Sequence, residues 1–157
     1  MSFATIEVPR EYGYVLLSAT GSLLVSCWLG IRVSSFRKAA GVPYPHQYAS
    51  QERIEQTAAA DPKRAQALHL FNCAQRGHYN FLETHTSFLY ALLAAGLRRP
   101  VAAAVMGAMW SVGRVMYAVG YTRPDTQNGK GRLVGSWANL ILYALIGMAG
   151  WDAWKML

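Results

Sequence analysis

Arg76, Asn80 and Glu83 are the residues of this sequence whose types and spacing point most directly to chemistry. On a helix, at about 100° per residue, the three side chains lie within roughly 60° of one another. They place a guanidinium, an amide and a carboxylate on one stripe. Arginine binds carboxylates through paired N–H donors, and a carboxylate can take an ammonium group. The stripe therefore predicts a binding site for a small ligand that carries charges of both signs.

A second stripe follows at helical spacing and consists of Trp110, Arg114, Tyr117 and Tyr121. If the two stripes meet, the pocket holds guanidinium donors, one carboxylate, an amide and phenols. That set suits a ligand with two carboxylates and an amine. A remaining cation would also lower the pKa of a thiol, which is about 8.5 when unperturbed. Glutathione has all of these features.

Each of these residues also has a purely structural interpretation. Arg76 with Glu83 could be a buried network that only stabilises the fold, and Tyr121 could be an aromatic residue at a membrane surface. His85 is expected to be a core histidine and Cys73 a small buried residue, although a reactive thiol is conceivable there. No His, Cys or carboxylate positions have a metal-ligand spacing, so we predict no metal site.

The composition places these polar residues in a membrane protein. The chain has 157 residues, of which 53% are hydrophobic and 15% charged, against a typical charged fraction of about 25%. Four apolar segments reach or nearly reach the roughly 20 residues that span a bilayer as a helix. Ionisable residues at membrane depth are costly and are usually retained for function.

The predicted fold is all-α, a single domain over residues 1–157 that forms an integral membrane four-helix bundle. The helices are expected at about residues 11–38, 62–97, 100–121 and 130–155. Asp61 and Pro62 predict the start of the second helix, as N-cap and first helical residue. Residues 43–67 are expected to form mainly a polar loop.

Charge predicts the orientation in the membrane. The net charge is +7, and eight basic residues fall in the first and third connections or at their helix ends, against four on the opposite side. The positive-inside bias therefore predicts cytosolic loops one and three, and both termini on the far side. No basic stripe with interleaved aromatic residues is present, so we expect membrane lipids and anionic substrates as partners, and no nucleic acid.

Four motifs together resemble one known family. They are Pro9–Leu17 (PREYGYVLL), Val42–Pro45 (VPYP), Phe71–Glu83 (FNCAQRGHYNFLE) and Gly113–Tyr121 (GRVMYAVGY). In this order, on an apolar helical chain, they resemble the membrane-associated proteins in eicosanoid and glutathione metabolism (MAPEG). Within that family the sequence is most similar to the type-three microsomal glutathione transferases.

The resemblance implies a homotrimer of the endoplasmic reticulum membrane with glutathione as co-substrate, bound between subunits near the cytosolic face. Both termini would then be lumenal. The family's binding positions match the following residues of one subunit: Arg76, Asn80, Glu83, Tyr117 and Tyr121. His78 matches a position that reaches the ligand from the neighbouring subunit. Arg37 and Lys38 match a basic pair, in which Arg37 would bind glutathione and Lys38 would act on the second substrate.

The thiol-activating arginine of the family matches less closely, because the loop after Tyr121 is longer here. Arg132 and Lys130 both remain candidates, and Arg132 is preferred because arginine keeps its charge when partly desolvated. The implied activity is conjugation of glutathione to lipophilic electrophiles, as in a leukotriene synthase, or reduction of lipid hydroperoxides. The alternative is a non-catalytic lipid-binding scaffold of the same fold.

Overall fold

The chain is all-α in the computed structural model, which describes residues 8–157 without the side chain of Gln127. Residues 1–7 of the predicted domain lie outside the described residues. The elements over the described part are α1 Tyr12–Ala40, α2 Gln51–Ala60, α3 Pro62–Gly96, α4 Pro100–Tyr121, a 3₁₀ segment Gln127–Gly135, and α5 Ala138–Trp154.

The two central helices begin where the sequence predicts them. Asp61 Oδ1 accepts a 3.1 Å hydrogen bond from the backbone N–H of Arg64, and Pro62 occupies the first position of α3. Pro100 likewise opens α4. Proline is tolerated there because the first helical N–H groups have no partner within the helix. These starts set the register of both stripes.

The first connection contains a helix that the sequence analysis did not predict. Residues 43–67 were expected to be mainly loop, yet α2 occupies Gln51–Ala60. Ser50 caps it by accepting a hydrogen bond from the N–H of Arg53 at 3.3 Å. Gln51 Nε2 also donates a 2.8 Å hydrogen bond to Glu55 Oε1, four residues later on the exposed surface, and this bond stabilises the helix.

The fourth predicted helix, residues 130–155, is divided in two. The 3₁₀ segment Gln127–Gly135 precedes α5, and the two parts meet at an angle of 44°. Within the 3₁₀ segment, Asn128 and Gly129 have positive φ angles of 53° and 63°. The segment also approaches α4 closely, because a Cβ on Gly120 or on Gly131 would overlap the carbonyl oxygen of the other.

Two helices are long and apolar enough to cross a membrane, α1 and α4, and the bent pair of the 3₁₀ segment and α5 adds a third candidate. Although α3 has 35 residues, it is not among these candidates over the described residues. Its polar stripe is the reason. An α3 that crosses a bilayer must therefore have much of its surface covered by protein.

An aromatic core joins α3 to α4. Phe88 and Trp110 stack with ring centroids 3.8 Å apart, and Phe81 packs 5.4 Å from Trp110. All three rings are fully buried. At the opposite end of α3 from Pro62, Arg99 and Asp152 form a 3.0 Å ion pair that ties the α3–α4 turn to the end of α5.

Candidate functional site

The polar side chains of the α3 stripe are already bonded to one another in the structure. Arg76 Nη1 lies 2.8 Å from Glu83 Oε1, two helical turns away. Asn80 stands between them and donates from Nδ2 to Glu83 Oε2 at 3.3 Å. The side chains of Arg76 and Glu83 are each 49% exposed. The stripe therefore holds a cation and an anion side by side on a surface that a ligand can reach.

Arg114 connects this stripe to α4. Its Nη2 donates to Asn80 Oδ1 at 2.8 Å, and its guanidinium lies 4.7 Å from the centroid of the Tyr117 ring. Arg114 is 2% exposed. Within the described residues, its Nε and Nη1 have no hydrogen-bond partner. The two predicted stripes thus meet through Arg114, a residue that was noted on its stripe but not assigned to the binding set.

Tyr117, Tyr121 and Arg132 continue the same surface. The two tyrosine rings lie edge to face with centroids 5.6 Å apart. The Arg132 guanidinium lies 5.2 Å from the centroid of the Tyr121 ring, and its Nη1 donates to the carbonyl oxygen of Gly129 at 3.0 Å. Arg132 is half-buried and Lys130 is exposed. Of the two candidate cations, Arg132 is the one in contact with the predicted tyrosine pair.

A cleft of about 390 Å³ opens between the start of α3 and the end of α4. Two of the predicted site residues, Arg76 and Tyr121, are among the seven that line it: Tyr48, His69, Asn72, Cys73, Arg76, Tyr121 and Asn128. Burial raises the pKa of Tyr48, more than the nearby Arg76 lowers it. Tyr48 is therefore a neutral hydroxyl at pH 7.

Cys73 and Asn72 have partners in or beside this cleft. Cys73 Sγ lies 3.5 Å from His69 Nε2, and the thiol is buried. Asn72 exchanges two hydrogen bonds of 2.8 Å with the backbone of Ala49, and these attach the loop before α2 to α3. The Asn72 amide therefore stabilises the fold.

Arg37 and Lys38 lie at a different cleft, of about 370 Å³, which the residues following α1 also line. The Arg37 side chain is occupied: Nη1 donates to the carbonyl oxygen of His46 at 2.6 Å. Its guanidinium is also 4.4 Å from the Tyr44 ring and 4.7 Å from the Phe71 ring. Within one chain, the basic pair therefore lines a different cleft from the α3–α4 site.

Two of the three histidines of α3, His78 and His85, lie away from the Arg76 stripe. His78 faces α1, where its Cε1 would be 3.8 Å from a Cβ placed on Gly30. His85 is buried. Its Nε2 lies 2.9 Å from Ser22 Oγ, and its ring centroid lies 4.6 Å from that of Phe81. His85 thus has the environment of a core histidine, as predicted, and His78 does not join the Arg76 stripe within one chain.

Arg32 is a charged residue that the sequence analysis missed. It donates to Thr122 Oγ1 at the end of α4, and the rings of Trp28 and Phe36 lie 5.4 and 5.1 Å from its guanidinium carbon. Its Nε is buried without a hydrogen-bond partner among the described residues. The available signal was a cation directly after the uncharged run of residues 12–31.

Metal-ligating groups are not clustered in the part of the chain that the structure describes. Residues 8–157 contain no group of three or more His, Cys, Asp or Glu side chains that could hold a metal ion. The polar groups of the α3–α4 site are guanidinium, amide, carboxylate and phenol groups.

Two comparisons with known proteins bear on this site. The model of the MAPEG family matches residues 15–151, a range that includes both stripes and Arg132. A second similarity is to the uncharacterized protein sll1147 of Synechocystis sp., at 40% identity over 73 residues. That match covers 46% of this chain and 53% of the relative, so the chain spans about half the length of the curated relative it matches.

Proposed function

The chain belongs to the MAPEG family, and on that premise we propose that it is a glutathione-dependent membrane transferase, most similar to the type-three microsomal enzymes. Membership by itself indicates a membrane protein of glutathione or eicosanoid metabolism. The finer proposal is that glutathione binds at the α3–α4 site as co-substrate and reacts there as a thiolate with a lipophilic electrophile or a lipid hydroperoxide.

One observation carries the proposal: the network Arg76–Glu83–Asn80–Arg114 presents paired opposite charges beside the cleft that Arg76 and Tyr121 line. Glutathione has two carboxylates and one ammonium group. A forked guanidinium such as that of Arg76 suits a carboxylate, and Glu83 suits the ammonium. Because these side chains already pair with each other, binding exchanges an internal ion pair for two ligand contacts without leaving either charge unpaired.

Activation of the thiol is assigned to Arg132. A guanidinium near sulfur stabilises the thiolate far more than the neutral thiol, so it lowers the pKa of bound glutathione. The contact of Arg132 with the Tyr121 ring at 5.2 Å supports this assignment over Lys130. Tyr117 and Tyr121 supply hydroxyl donors for the same region of the ligand.

Two reactions use the same thiolate. In conjugation, sulfur attacks an electrophilic carbon, a C–S bond forms, and the leaving group departs or the opened epoxide oxygen takes a proton. In peroxide reduction, two glutathione molecules and one hydroperoxide give glutathione disulfide, an alcohol and water. Lys38 is proposed to handle the second substrate in either reaction.

The proposed active form is a homotrimer of four-helix subunits. Arg37, Lys38 and His78 lie away from the α3–α4 site within one chain, so their proposed roles require a neighbouring subunit to bring them to it. The half-exposed ion pair of Arg76 and Glu83 supports this arrangement, because a charged surface at membrane depth is costly in contact with lipid. The proposed location is the endoplasmic reticulum membrane, with loops one and three cytosolic and both termini lumenal.

Glutathione consumption by the purified, detergent-solubilised protein tests the proposal. An aryl halide, an epoxide and a fatty-acid hydroperoxide are supplied in parallel, with the Arg132→Leu variant as the control for uncatalysed thiol chemistry. The expected result is consumption with at least one substrate, strongly reduced by the variant. Glutathione binding without consumption of any substrate would favour the non-catalytic scaffold, and absence of binding would overturn the site itself.

A further inference from the structure

A third cleft, beside α4, is lined mainly by apolar side chains. It has a volume of about 250 Å³ and lies between α4 and the 3₁₀ segment. Its walls are aliphatic side chains, which the following list gives: Val115, Met116, Val119 and Val134. Three of these are exposed on a single chain: Met116 by 37%, Val119 by 43% and Val134 by 53%. None of them belongs to the proposed glutathione site.

The cleft has one charged end. At this end the cleft is lined by Gly120 and by Arg123, and Arg123 lies two positions after the last residue of α4. Because α4 is one of the helices long and apolar enough to span a membrane, a residue that follows its end lies at the membrane surface. The cleft therefore has apolar walls at the depth of the lipid hydrocarbon and a guanidinium at the depth of the headgroups. This arrangement complements a lipid that has an apolar tail and an anionic head.

The guanidinium of Arg123 already holds an anion in forked geometry. Its Nη2 lies 2.7 Å from Asp125 Oδ2, and its Nε donates to Asp125 Oδ1 at 3.1 Å. Both side chains are more than half exposed, at 53% and 59%. Phosphate oxygens accept the same pair of donors as a carboxylate does. Asp125 therefore occupies the position that a lipid phosphate would take.

We propose that this cleft binds an anionic phospholipid, with an acyl chain along Val115, Val119 and Val134 and the phosphate on Arg123 in exchange for Asp125. The net charge of +7 favours that headgroup over a zwitterionic one. Arg132 does not line this cleft. Lipid binding in this cleft does not depend on glutathione consumption.

Native mass spectrometry of the detergent-released protein tests the inference, with dioleoyl phosphatidylglycerol and dioleoyl phosphatidylcholine titrated separately. Arg123→Gln should weaken phosphatidylglycerol binding about fivefold, the effect of one basic side chain near an anionic surface, and leave phosphatidylcholine binding unchanged. Lys130→Gln, which removes a charge from the same connection outside the cleft, is the matched control. Asp125→Asn should act in the opposite direction and strengthen phosphatidylglycerol binding, because it removes the carboxylate that competes with the lipid phosphate for the Arg123 guanidinium.

The apolar part of the cleft is tested by Val119→Phe, which fills it, against Val112→Phe on an exposed position of α4 that does not line it. The first variant should lose phosphatidylglycerol binding and the second should retain it. Equal losses for Arg123→Gln and Lys130→Gln, or weaker binding for Asp125→Asn, would overturn the headgroup assignment. Unchanged binding to Val119→Phe would overturn the cleft, and displacement of phosphatidylglycerol by equimolar oleate would assign it to a fatty acid instead.

Discussion

Asn80 Oδ1 accepts a 2.8 Å hydrogen bond from Arg114 Nη2, and this bond decides which way round the Asn80 amide lies. With its oxygen turned to α4, the amide presents Nδ2 to Glu83. Arg114 thereby positions the carboxylate that is proposed to take the glutathione ammonium, although its own guanidinium is almost fully buried. The contact links the two stripes that the sequence could only place on separate helices.

A double-mutant cycle measures that link. Asn80→Ala and Arg114→Met should each lower the free energy of unfolding in detergent, and their coupling should be about 1.5–3 kcal/mol, the value of a hydrogen bond to a charged group. The variants should be compared by reversible denaturation followed by circular dichroism. A coupling below about 0.5 kcal/mol would mean that the two side chains act independently and that Arg114 does not position Asn80.

Loss of Arg76 should weaken glutathione binding. Arg76→Ala is expected to reduce the binding free energy by about 2–4 kcal/mol, because it removes a forked charge pair and leaves Glu83 without its cation. Isothermal titration calorimetry measures the effect. Arg98→Ala, which removes an exposed arginine at the opposite end of the described fold, serves as the control. Equal affinity of the Arg76→Ala variant and the wild type would make the Arg76–Glu83 pair structural.

Thiol activation separates the two candidate cations. Arg132→Leu should abolish the thiolate absorbance of bound glutathione at neutral pH and leave its affinity mostly intact, because the guanidinium interacts strongly only with the charged sulfur. Lys130→Leu should retain the absorbance. The reverse result would move the role to Lys130. Retention by both variants would point to Tyr121, whose replacement by Phe then becomes the decisive measurement.

Orientation can be tested by labelling. With Cys27 and Cys73 replaced by Ser, a cysteine at the exposed position of Lys130 should react with an impermeant maleimide in sealed microsomes whose cytosolic face is outward. A cysteine appended after Leu157 should react only after permeabilisation. If the labelling pattern is reversed, the charge count has predicted the wrong orientation.

The ion pair of Arg99 and Asp152 should have an asymmetric effect on stability. The Asp152 side chain is 7% exposed, so Arg99→Met leaves a buried carboxylate without its cation. The expected cost is about 2–3 kcal/mol, reduced from the full value of a buried pair because Arg99 is partly exposed. The double variant with Asp152→Leu should recover much of this stability. Arg98→Met is the neighbouring control, and an equal loss there would attribute the effect to the turn.

Local signals in the sequence predicted the frame of the site. Asp61 with Pro62 gave the start of α3, and the spacing of Arg76, Asn80 and Glu83 placed them on one stripe, as the structure shows. The start of α4 at Pro100 was predicted from the same kind of signal. Caps and helical spacing depend on residues within a few positions of each other, so a single sequence contains them.

Features that depend on distant residues were not predicted. The 3₁₀ segment contacts α4 where Gly120 and Gly131 meet backbone to backbone, and neither glycine reveals its partner in the sequence. The role of Arg114 likewise depends on Asn80, 34 positions earlier. The placement of Lys38 relative to the site remains a prediction, because it involves a second copy of the chain.

The polarity of α3 has a consequence for how the protein enters its membrane. A helix that does not qualify as a span by composition would be retained poorly by the translocon on its own, because each charged residue near the centre of a helix opposes insertion. Only residues 97–99 separate α3 from α4, which does qualify. The two helices should therefore insert together as a hairpin during synthesis. Arg114 would then bind Asn80 before the α3 stripe meets lipid.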